Sequence, residues 1–303
     1  MRKALVKSPL PTLDGVAPSR QTLPAAGGWE TVLDFLSERH PLVGAQVWAA
    51  RMREGRVLDE AGRQVTPESP YRAGACVYYY REPAEETPVP FEERVLHLDE
   101  HLLVADKPHF LAVVPAGRFL RETLLVRLKK QTGLDTLVPV HRLDRETAGL
   151  VVFSVNRASR GAYASLFQRR EVSKVYEALS HARPALDFPV TRRSRVVAGE
   201  PFFRMKETVG EPNSETRVDL LVGRGNATLY EARPLTGRKH QVRLHLAALG
   251  IPILNDRLYP EALPEAPEEF DAPLQLLARS ISFRDPLNGL ARHFESERKL
   301  QGG

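Results

Sequence analysis

Short segments that alternate apolar and polar residues dominate the chain from Phe91 onward, and their period of two predicts β-strands. Three further segments, residues 122–130, 158–168 and 240–249, have the pattern of helices. The strands outnumber the helices, and several are joined by short turns. This favours an α+β domain with a mainly antiparallel mixed sheet and flanking helices. The predicted strands are residues 94–98, 102–105, 150–155, 173–179, 217–222 and 228–232.

The first ninety residues have a different pattern. Residues 1–28 contain four prolines and little periodicity, which predicts an extended arm without regular structure. Residues 29–81 predict a small compact unit, with one helix that ends near Pro41, another at 45–53, and strands near 56–58 and 76–80. The acidic, proline-rich residues 82–90 predict a linker. The remaining domain then comprises residues 91–303.

Composition narrows the class of protein. With 303 residues, 42% hydrophobic and 27% charged, the chain is typical of a globular protein of about two domains. Its single cysteine, Cys76, excludes an intrachain disulfide and a zinc site built on CxxC pairs. No signal-peptide pattern and no apolar run of about 18 residues occurs, so we expect a cytoplasmic protein without a membrane partner.

Motifs for nucleotide cofactors, serine hydrolases and zinc proteases are missing from the sequence. His240 and His245 are five residues apart, about 140° around a helix, and so do not share a face as the HExxH motif requires. We therefore expect no cofactor and no metal.

Positive charge is concentrated in one part of the chain. Residues 151–250 carry 17 basic and 9 acidic residues, a net charge of +8 within a total of +5. Arginine dominates there, and its planar guanidinium suits phosphate groups. The clusters predict a surface that binds a polyanion, although each one alone is also typical of a solvated surface. They are Arg169 and Arg170, Arg192, Arg193 and Arg195, and Arg238 and Lys239.

The segment His141–Leu150 (HRLDRETAGL) is a charged loop that runs into a buried strand. Asp144 lies between Arg142 and Arg145, and their positive charges favour an ionised carboxylate. Such a group can act as a nucleophile or a general base. A purely structural cluster of ion pairs is the alternative interpretation.

A second segment, Leu235–Leu246 (LTGRKHQVRLHL), predicts the start of a helix that Thr236 could cap and Gly250 could end. Lys239 and Arg243 would share one helix face, four residues apart. Free N–H groups at the helix start could bind a phosphate. A basic surface helix without a function is the alternative.

These segments together resemble the RluA family of pseudouridine synthases. Residues 141–150 match its HRLDRxTSGL segment with Ala148 for serine, and 236–246 match TGRxHQIRxHL. Residues 250–259 match GxPIxGDxxY with Asn255 for glycine, and 174–178 match the KxYxA strand. Three resemblances are looser: Phe110 replaces a glycine after Lys107-Pro108, Leu277 replaces a frequent histidine, and the last strand fits around residues 276–283. The resemblance covers roughly residues 91–290.

The resemblance implies an enzyme that isomerises uridine to pseudouridine in ribosomal or transfer RNA, as a monomer and without a cofactor. It implies that Asp144 is the nucleophile, at the ribose or at the base. Tyr176 would stack on the target base and could take a proton, and Arg243 would pair with Asp144. Leu276 would pack beneath the base. The expected RNA-binding residues are Arg142, Arg145, Lys174, Arg192, Arg193, Arg195, Arg238, Lys239 and His240.

The N-terminal unit, residues 29–81, resembles the small alpha-L RNA-binding module that often precedes this catalytic domain. Its charge sums to about zero, so a role in packing or docking is the alternative to RNA binding. For the whole chain, two other functions stay open. One is an RNA-binding or RNA-folding factor whose catalysis is secondary or lost, and the other is a carboxylate-based enzyme that transfers the glycosyl group of another nucleoside.

Overall fold

The computed structural model describes residues 8–13, 15–81, 86–224, 226–264 and 269–301. The chain divides into two compact units, Met1–Glu86 with Gly117–Arg121, and Thr87–Ala116 with Glu122–Gly303. Residues 1–7 of the predicted arm and 82–85 of the predicted linker lie outside the described residues.

The first unit is a three-stranded antiparallel sheet with two helices. Its elements are β1 (Ser19–Thr22), α1 (Val32–Arg39), α2 (Ala45–Arg53), β2 (Val57–Asp59) and β3 (Cys76–Tyr79), and the strand order is β1-β3-β2. Thr31 and Asp34 form a capping box at the start of α1. Trp48 and Met52 of α2 pack into the core beside Leu36. The prediction of an arm without regular structure over residues 1–28 is wrong for β1, which pairs with β3 along its whole length.

The second unit is built on an eleven-stranded, mainly antiparallel sheet, so the predicted α+β fold is confirmed. Its longest path runs β10-β9-β11-β12-β8-β13-β7-β5-β4, with β14 on β13 and β6 on β7. The elements are β4 (Arg94–Leu98), β5 (Leu102–Lys107), α3 (Leu124–Thr132), β6 (Val138–Pro139), β7 (Ala148–Ser154), α4 (Arg160–Gln168), β8 (Ser173–Ser180), β9 (Val190–Ala198), β10 (Met205–Thr208), β11 (Ser214–Arg224), β12 (Ala227–Pro234), α5 (Gln241–Ala248), β13 (Leu276–Arg284) and β14 (Ala291–Glu295).

Helices cover both faces of strands β5 and β7, so every residue of these two strands is buried. Successive residues of a strand point to opposite faces. Leu103 and Phe153 accordingly share a core with α3, whereas Leu102 and Val152 share one with α4. Near the middle of the sheet, α5 packs through Leu246 against strands β11 and β12. Helices α3, α4 and α5 thus pack on the strands that surround the loop before β7.

Gly149 marks the one place where two of the described strands run parallel, β7 beside β13. It has φ +110°, and a Cβ at this position would lie 2.3 Å from the carbonyl oxygen of Ala278. Only glycine can adopt this conformation and allow this approach without strain. The glycine of the HRLDRETAGL segment is therefore required by the pairing of the strands.

Two departures from the family's glycines, Phe110 and Asn255, lie in the left-handed region with φ 63° and 62°. Glycine adopts such a conformation readily, whereas a side chain adds strain. Compensating contacts are present at both positions. Phe110 packs edge-on against Phe270, and Asn255 donates a hydrogen bond to the carbonyl oxygen of Pro273.

The start of α5 differs from the prediction. The helix begins at Gln241, and its N-terminal cap is His240 in a left-handed conformation (φ 55°), without a side-chain cap. Thr236 instead donates a hydrogen bond to the Gln241 side chain at 2.7 Å. Lys239 precedes the helix and is exposed, whereas Arg243 is buried, so the prediction that they share a helix face is also wrong.

Candidate active site

A cavity of about 1080 Å³ opens beside the loop that precedes β7. The loop 141–147, strand β8, the segment before α5 and the first residue of β13 line it. The sequence-predicted catalytic residues Asp144, Tyr176 and Arg243 all lie on its wall, together with Leu276. The fold therefore brings together side chains that are up to 132 residues apart in the sequence, Asp144 and Leu276.

Arg243 connects two carboxylates of this site. Its Nε and Nη2 atoms donate to both oxygens of Asp256 at 2.8 and 2.6 Å, and its Nη1 atom donates to Asp144 at 3.4 Å. Arg243 is 2% exposed and Asp256 is 1% exposed, whereas Asp144 is 24% exposed. Burial opposes the charge, but the hydrogen bonds to Asp256 raise the pKa of Arg243. The guanidinium is thus permanently charged, and it faces an aspartate that solvent can reach.

His240 approaches the other oxygen of Asp144. Its Nε2 atom lies 3.8 Å from Asp144 Oδ1, and its Nδ1 atom is 3.0 Å from the hydroxyl of Tyr259. That hydroxyl accepts a hydrogen bond from the backbone N–H of Met205 at 2.8 Å and can donate to the Met205 carbonyl oxygen at 3.3 Å. Burial lowers the pKa of His240, so the ring is neutral near pH 7.

His240, which the sequence predicted to bind RNA, lies on the wall of the cavity beside Asp144. The side chain is buried, and both of its nitrogens face groups of the site. Asp256 and Tyr259 were missed as site residues, although both belong to the 250–259 segment that the sequence matched to the family. Their place in that segment was the available signal.

Tyr176 and Lys174 point from the same face of β8, as the alternation predicted. Tyr176 lines the cavity and packs against the core that contains Leu276. Burial raises the pKa of the Tyr176 phenol, which is therefore neutral. Lys174 donates a hydrogen bond to the carbonyl oxygen of Thr236, and burial lowers the pKa of its amine to about 8.

The backbone of the Asp144 loop is held from the end of β5. The Lys107 amine is fully buried and donates to the carbonyl oxygens of Pro108, Leu111 and Arg145 at 2.9, 2.8 and 3.0 Å. Burial lowers the pKa of Lys107 to about 7. The Nδ1 atom of His109 is 2.7 Å from the carbonyl oxygen of Glu146. These contacts fix the backbone on the C-terminal side of Asp144.

His141 holds the other side of the loop. Its Nε2 atom accepts a hydrogen bond from the backbone N–H of Val152 at 3.1 Å, and its ring stacks on Phe167 of α4 at a centroid distance of 4.8 Å. Burial lowers the pKa of His141 to about 3, which keeps Nε2 free to accept. His141 therefore has a structural contact on β7 while it lines the cavity.

The register of the sheet shows which face of β9 is on the same side as Tyr176. Tyr176 of β8 has Ala232 as its partner, Ala232 has Val218, and Val218 has Val190. Partners in antiparallel strands share a face, and side chains alternate along each strand. Residues 190, 192 and 194 of β9 consequently lie on the Tyr176 face.

Arg193 and Arg195 therefore lie on the opposite face of the sheet, away from the cavity. Arg193 is paired there with Glu215 at 3.0 Å. Arg192 is on the Tyr176 face, but it forms an ion pair with Glu207. The three arginines that the sequence grouped as RNA-binding do not form one surface, because consecutive residues of a strand alternate between faces.

Other predicted RNA-binding residues do line the cavity: Arg142, Arg145, Lys174, Arg238 and Lys239. Arg142, Arg238 and Lys239 are exposed. In the residues that the structure describes, no group of three or more histidine, cysteine, aspartate or glutamate side chains could hold a metal ion. No helix of the described chain is long and apolar enough to cross a membrane.

Comparisons with known proteins find a family model, curated relatives and a similar solved structure. The model of the RNA pseudouridylate synthase family matches residues 101–248. An uncharacterized RNA pseudouridine synthase of Synechocystis sp. is 33% identical over 234 residues, which cover 75% of this chain and 79% of that protein. The dual-specificity RNA pseudouridine synthase RluA of Pasteurella multocida is 32% identical over 208 residues, 64% of this chain and 87% of that protein. The structure of human RNA Pseudouridylate Synthase Domain Containing 4 aligns with a TM-score of 0.52 at 26% identity, over 68% of this chain and 88% of that chain.

Proposed function

This chain belongs to the RluA family of RNA pseudouridine synthases, which isomerise uridine to pseudouridine in RNA, and we propose that Asp144 is its nucleophile. The observation that carries the proposal is the position of Asp144 in the cavity. Its carboxylate is partly exposed and faces the buried guanidinium of Arg243, which Asp256 fixes by two hydrogen bonds. A carboxylate oriented by a fixed cation is suited to attack an electrophilic carbon.

The reaction exchanges one glycosidic bond for another. The bond between uracil N1 and ribose C1′ breaks, and a bond between uracil C5 and C1′ forms after the base has rotated. The hydrogen of C5 is lost to solvent, and N1 gains a proton, so the formula is unchanged. Asp144 attacks the nucleotide at the ribose or at the base and is released when the carbon bond forms. No electrons are gained or lost, so the reaction needs no redox cofactor.

Tyr176 and Leu276 are proposed to form the surface that receives the uracil ring. Both line the cavity and belong to one apolar cluster. Burial keeps the Tyr176 phenol neutral, since it raises the pKa, and this suits packing against the base more than accepting its proton. Aromatic and apolar side chains commonly hold a nucleobase in this way once it has left the stack.

Basic residues at the cavity are proposed to hold the RNA backbone. Flipping a uridine out of a stack costs a few kcal/mol, and contacts to the flanking phosphates offset that cost. Arg142, Arg238 and Lys239 are exposed and line the cavity, and Lys174 is inside it. We do not place Arg193 and Arg195 in this role, because they are on the other face of the sheet.

We propose ribosomal or transfer RNA as the substrate, which the dual-specificity name of the Pasteurella relative supports without deciding between them. The proposal also includes a monomeric enzyme in the cytoplasm, and RNA binding by residues 29–81. Sedimentation of the purified chain would test the monomeric state, and cell fractionation would test the location. Removal of the first unit, followed by a KM measurement, would test whether residues 29–81 bind RNA.

The experiment that tests the function measures tritium release from RNA labelled at uridine C5. Unmodified ribosomal and transfer RNA are supplied separately to the wild type, to Asp144→Asn and to Asp219→Asn. Asp219 is a matched control, because this aspartate pairs with Arg217 outside the cavity. We expect release by the wild type and by Asp219→Asn only. Full release by Asp144→Asn would refute Asp144 as the nucleophile.

The same assay separates the alternative functions. If the wild type released no tritium from any RNA but still bound RNA in a salt-sensitive way, an RNA-binding factor would be favoured. Activity on free uridine would favour an enzyme that transfers the glycosyl group of a nucleoside. A strict requirement for polymeric RNA agrees with the proposed function.

A further inference from the structure

Two aromatic side chains project into solvent at the turn between β9 and β10. Phe202 is 87% exposed and Phe203 is 40% exposed, and their rings meet edge to face with centroids 5.5 Å apart. A single exposed apolar residue is ordinary on a protein surface, but two adjacent phenylalanines on one turn are not explained by packing. Neither ring belongs to any of the hydrophobic clusters of the described chain.

The turn that carries these rings is held by hydrogen bonds. The backbone N–H of Arg204 donates to the carbonyl oxygen of Pro201 at 2.8 Å, and the N–H of Gly199 donates to the carbonyl oxygen of Arg204 at 3.0 Å. The guanidinium of Arg204 donates to the carbonyl oxygen of Pro260 at 2.7 Å and lies over the ring of Tyr259. The exposed rings are therefore presented from an anchored backbone.

The turn is also continuous with the cavity that contains Asp144. Phe203 lines that cavity, and the Lys239 amine donates to the Phe203 carbonyl oxygen at 2.9 Å. Arg238 is an exposed cation on the same wall, and its Nε atom donates to the carbonyl oxygen of Asn213. Exposed aromatic rings beside exposed cations are the arrangement that binds single-stranded nucleic acid, with bases on the rings and phosphates on the cations.

We propose that Phe202 and Phe203 form a stacking platform for a nucleobase of the substrate RNA that flanks the target uridine. The inference rests on the proposed function, since the occupant is the same RNA strand that enters the cavity. Phe202 offers an open ring face, and Lys239 and Arg238 neutralise the adjoining phosphates. Because every base has a stacking face, the platform selects an unstacked nucleotide over a paired one without reading its identity.

The platform acts on binding and not on the chemical step. Phe202→Ala and Phe203→Ala should each weaken RNA binding by about 5- to 150-fold, the usual effect of losing one base–aromatic stack. The flanking base is bound equally before and during the reaction, so KM should rise by the same factor while kcat at saturating RNA stays within about twofold. Phe202→Trp should retain or improve binding, since it keeps a larger ring.

The test uses a single-stranded oligouridine of about nine nucleotides with one 2-aminopurine, within the usual length of such sites. It is bound to the full-length Asp144→Asn protein, with and without the phenylalanine substitutions, and aromatic stacking is detected as quenching. Val209→Ala is the matched control, because Val209 is 98% exposed at the other end of β10. We expect quenching and tight binding to be lost with Phe202→Ala and kept with Val209→Ala.

Unchanged affinity, quenching and KM in the double Phe202→Ala, Phe203→Ala variant would overturn the platform, and the exposed rings would then have a different occupant, such as a protein. Tritium release is measured in parallel with the chain that keeps Asp144. If that chain releases none while the phenylalanine variants still bind more weakly, the proposed function fails and the stacking platform stands.

Discussion

Replacing Asp256 by asparagine tests whether the ion pair between Asp256 and Arg243 positions the guanidinium that contacts Asp144. One oxygen of Asp256, Oδ1, accepts from Arg243 and from the backbone N–H groups of Leu258 and Tyr259. The other, Oδ2, accepts only from Arg243 Nε. The Asp256→Asn side chain would keep the first oxygen, but its amide nitrogen would place a donor against Nε, and the negative charge would be lost.

The magnitude follows from what is lost. One charge-assisted hydrogen bond contributes about 1.5–3 kcal/mol, and removal of one partner of a buried ion pair costs about 3–5 kcal/mol. Since the amide retains part of the contact, we expect Asp256→Asn to lower the free energy of unfolding by about 2–4 kcal/mol. A guanidinium free to shift by about 1 Å should lower kcat about 100-fold, with little change in KM for RNA.

Urea unfolding followed by circular dichroism measures the first effect, and tritium release measures the second. Asp219→Asn is again the control, because Asp219 is 28% exposed and its partner Arg217 is 57% exposed, so we expect a change below about 1 kcal/mol. If Asp256→Asn were as stable and as active as Asp219→Asn, Arg243 would not depend on Asp256, and the account of how the nucleophile is oriented would be refuted.

Substitutions at four further positions test other contacts. Lys107→Met should remove a pH dependence of the free energy of unfolding. Between the folded pKa of about 7 and the ordinary 10.5, the unfolded lysine binds a proton that the folded one does not, so the wild type becomes more stable as pH rises. If the free energy of unfolding in urea changed with pH equally in Lys107→Met and the wild type, this would be contradicted. His240→Ala should lower kcat with KM unchanged, because the His240 ring packs 3.8 Å from Asp144 Oδ1 and helps to position that carboxylate; wild-type tritium release by His240→Ala would exclude this positioning role. Gly149→Ala should destabilise the fold by about 3 kcal/mol or more, since its Cβ would meet the Ala278 carbonyl; wild-type urea stability would contradict the strand pairing. Asn255→Ala should be less stable than Asn255→Gly by about 1 kcal/mol, because φ is positive there; the reverse order would contradict this.

Local patterns predicted most of the elements. Helix α2 has the predicted bounds, and strand β4 does too, because each is a clear run of its own period bounded by turn residues. The strands β1, β6, β9, β10 and β14 were not predicted. In β9 the adjacent Arg192 and Arg193 hide the alternation, since only the register with β11 shows which of them is half-buried on the Tyr176 face and which is exposed.

The family motifs predicted several residues of the site, but not how all of these residues contact one another. The pairing of Asp144 with Arg243 was expected from the family resemblance, and the structure brings them together across 99 residues. The support of Arg243 by Asp256, and the contact of His240 with Tyr259, depend on how the segment after α5 folds back. No periodicity in the sequence carries that information, so these contacts of Asp256 and His240 could not be predicted.

The most direct test of the account is a single-turnover measurement on Asp144→Asn beside the wild type. Enzyme in excess of 5-tritiated RNA gives the rate of the chemical step, and equilibrium binding of the same RNA gives the affinity. We expect Asp144→Asn to bind the RNA as tightly as the wild type and to release no tritium above background. Tritium release at the wild-type rate by Asp144→Asn would contradict the central claim that this carboxylate is the nucleophile.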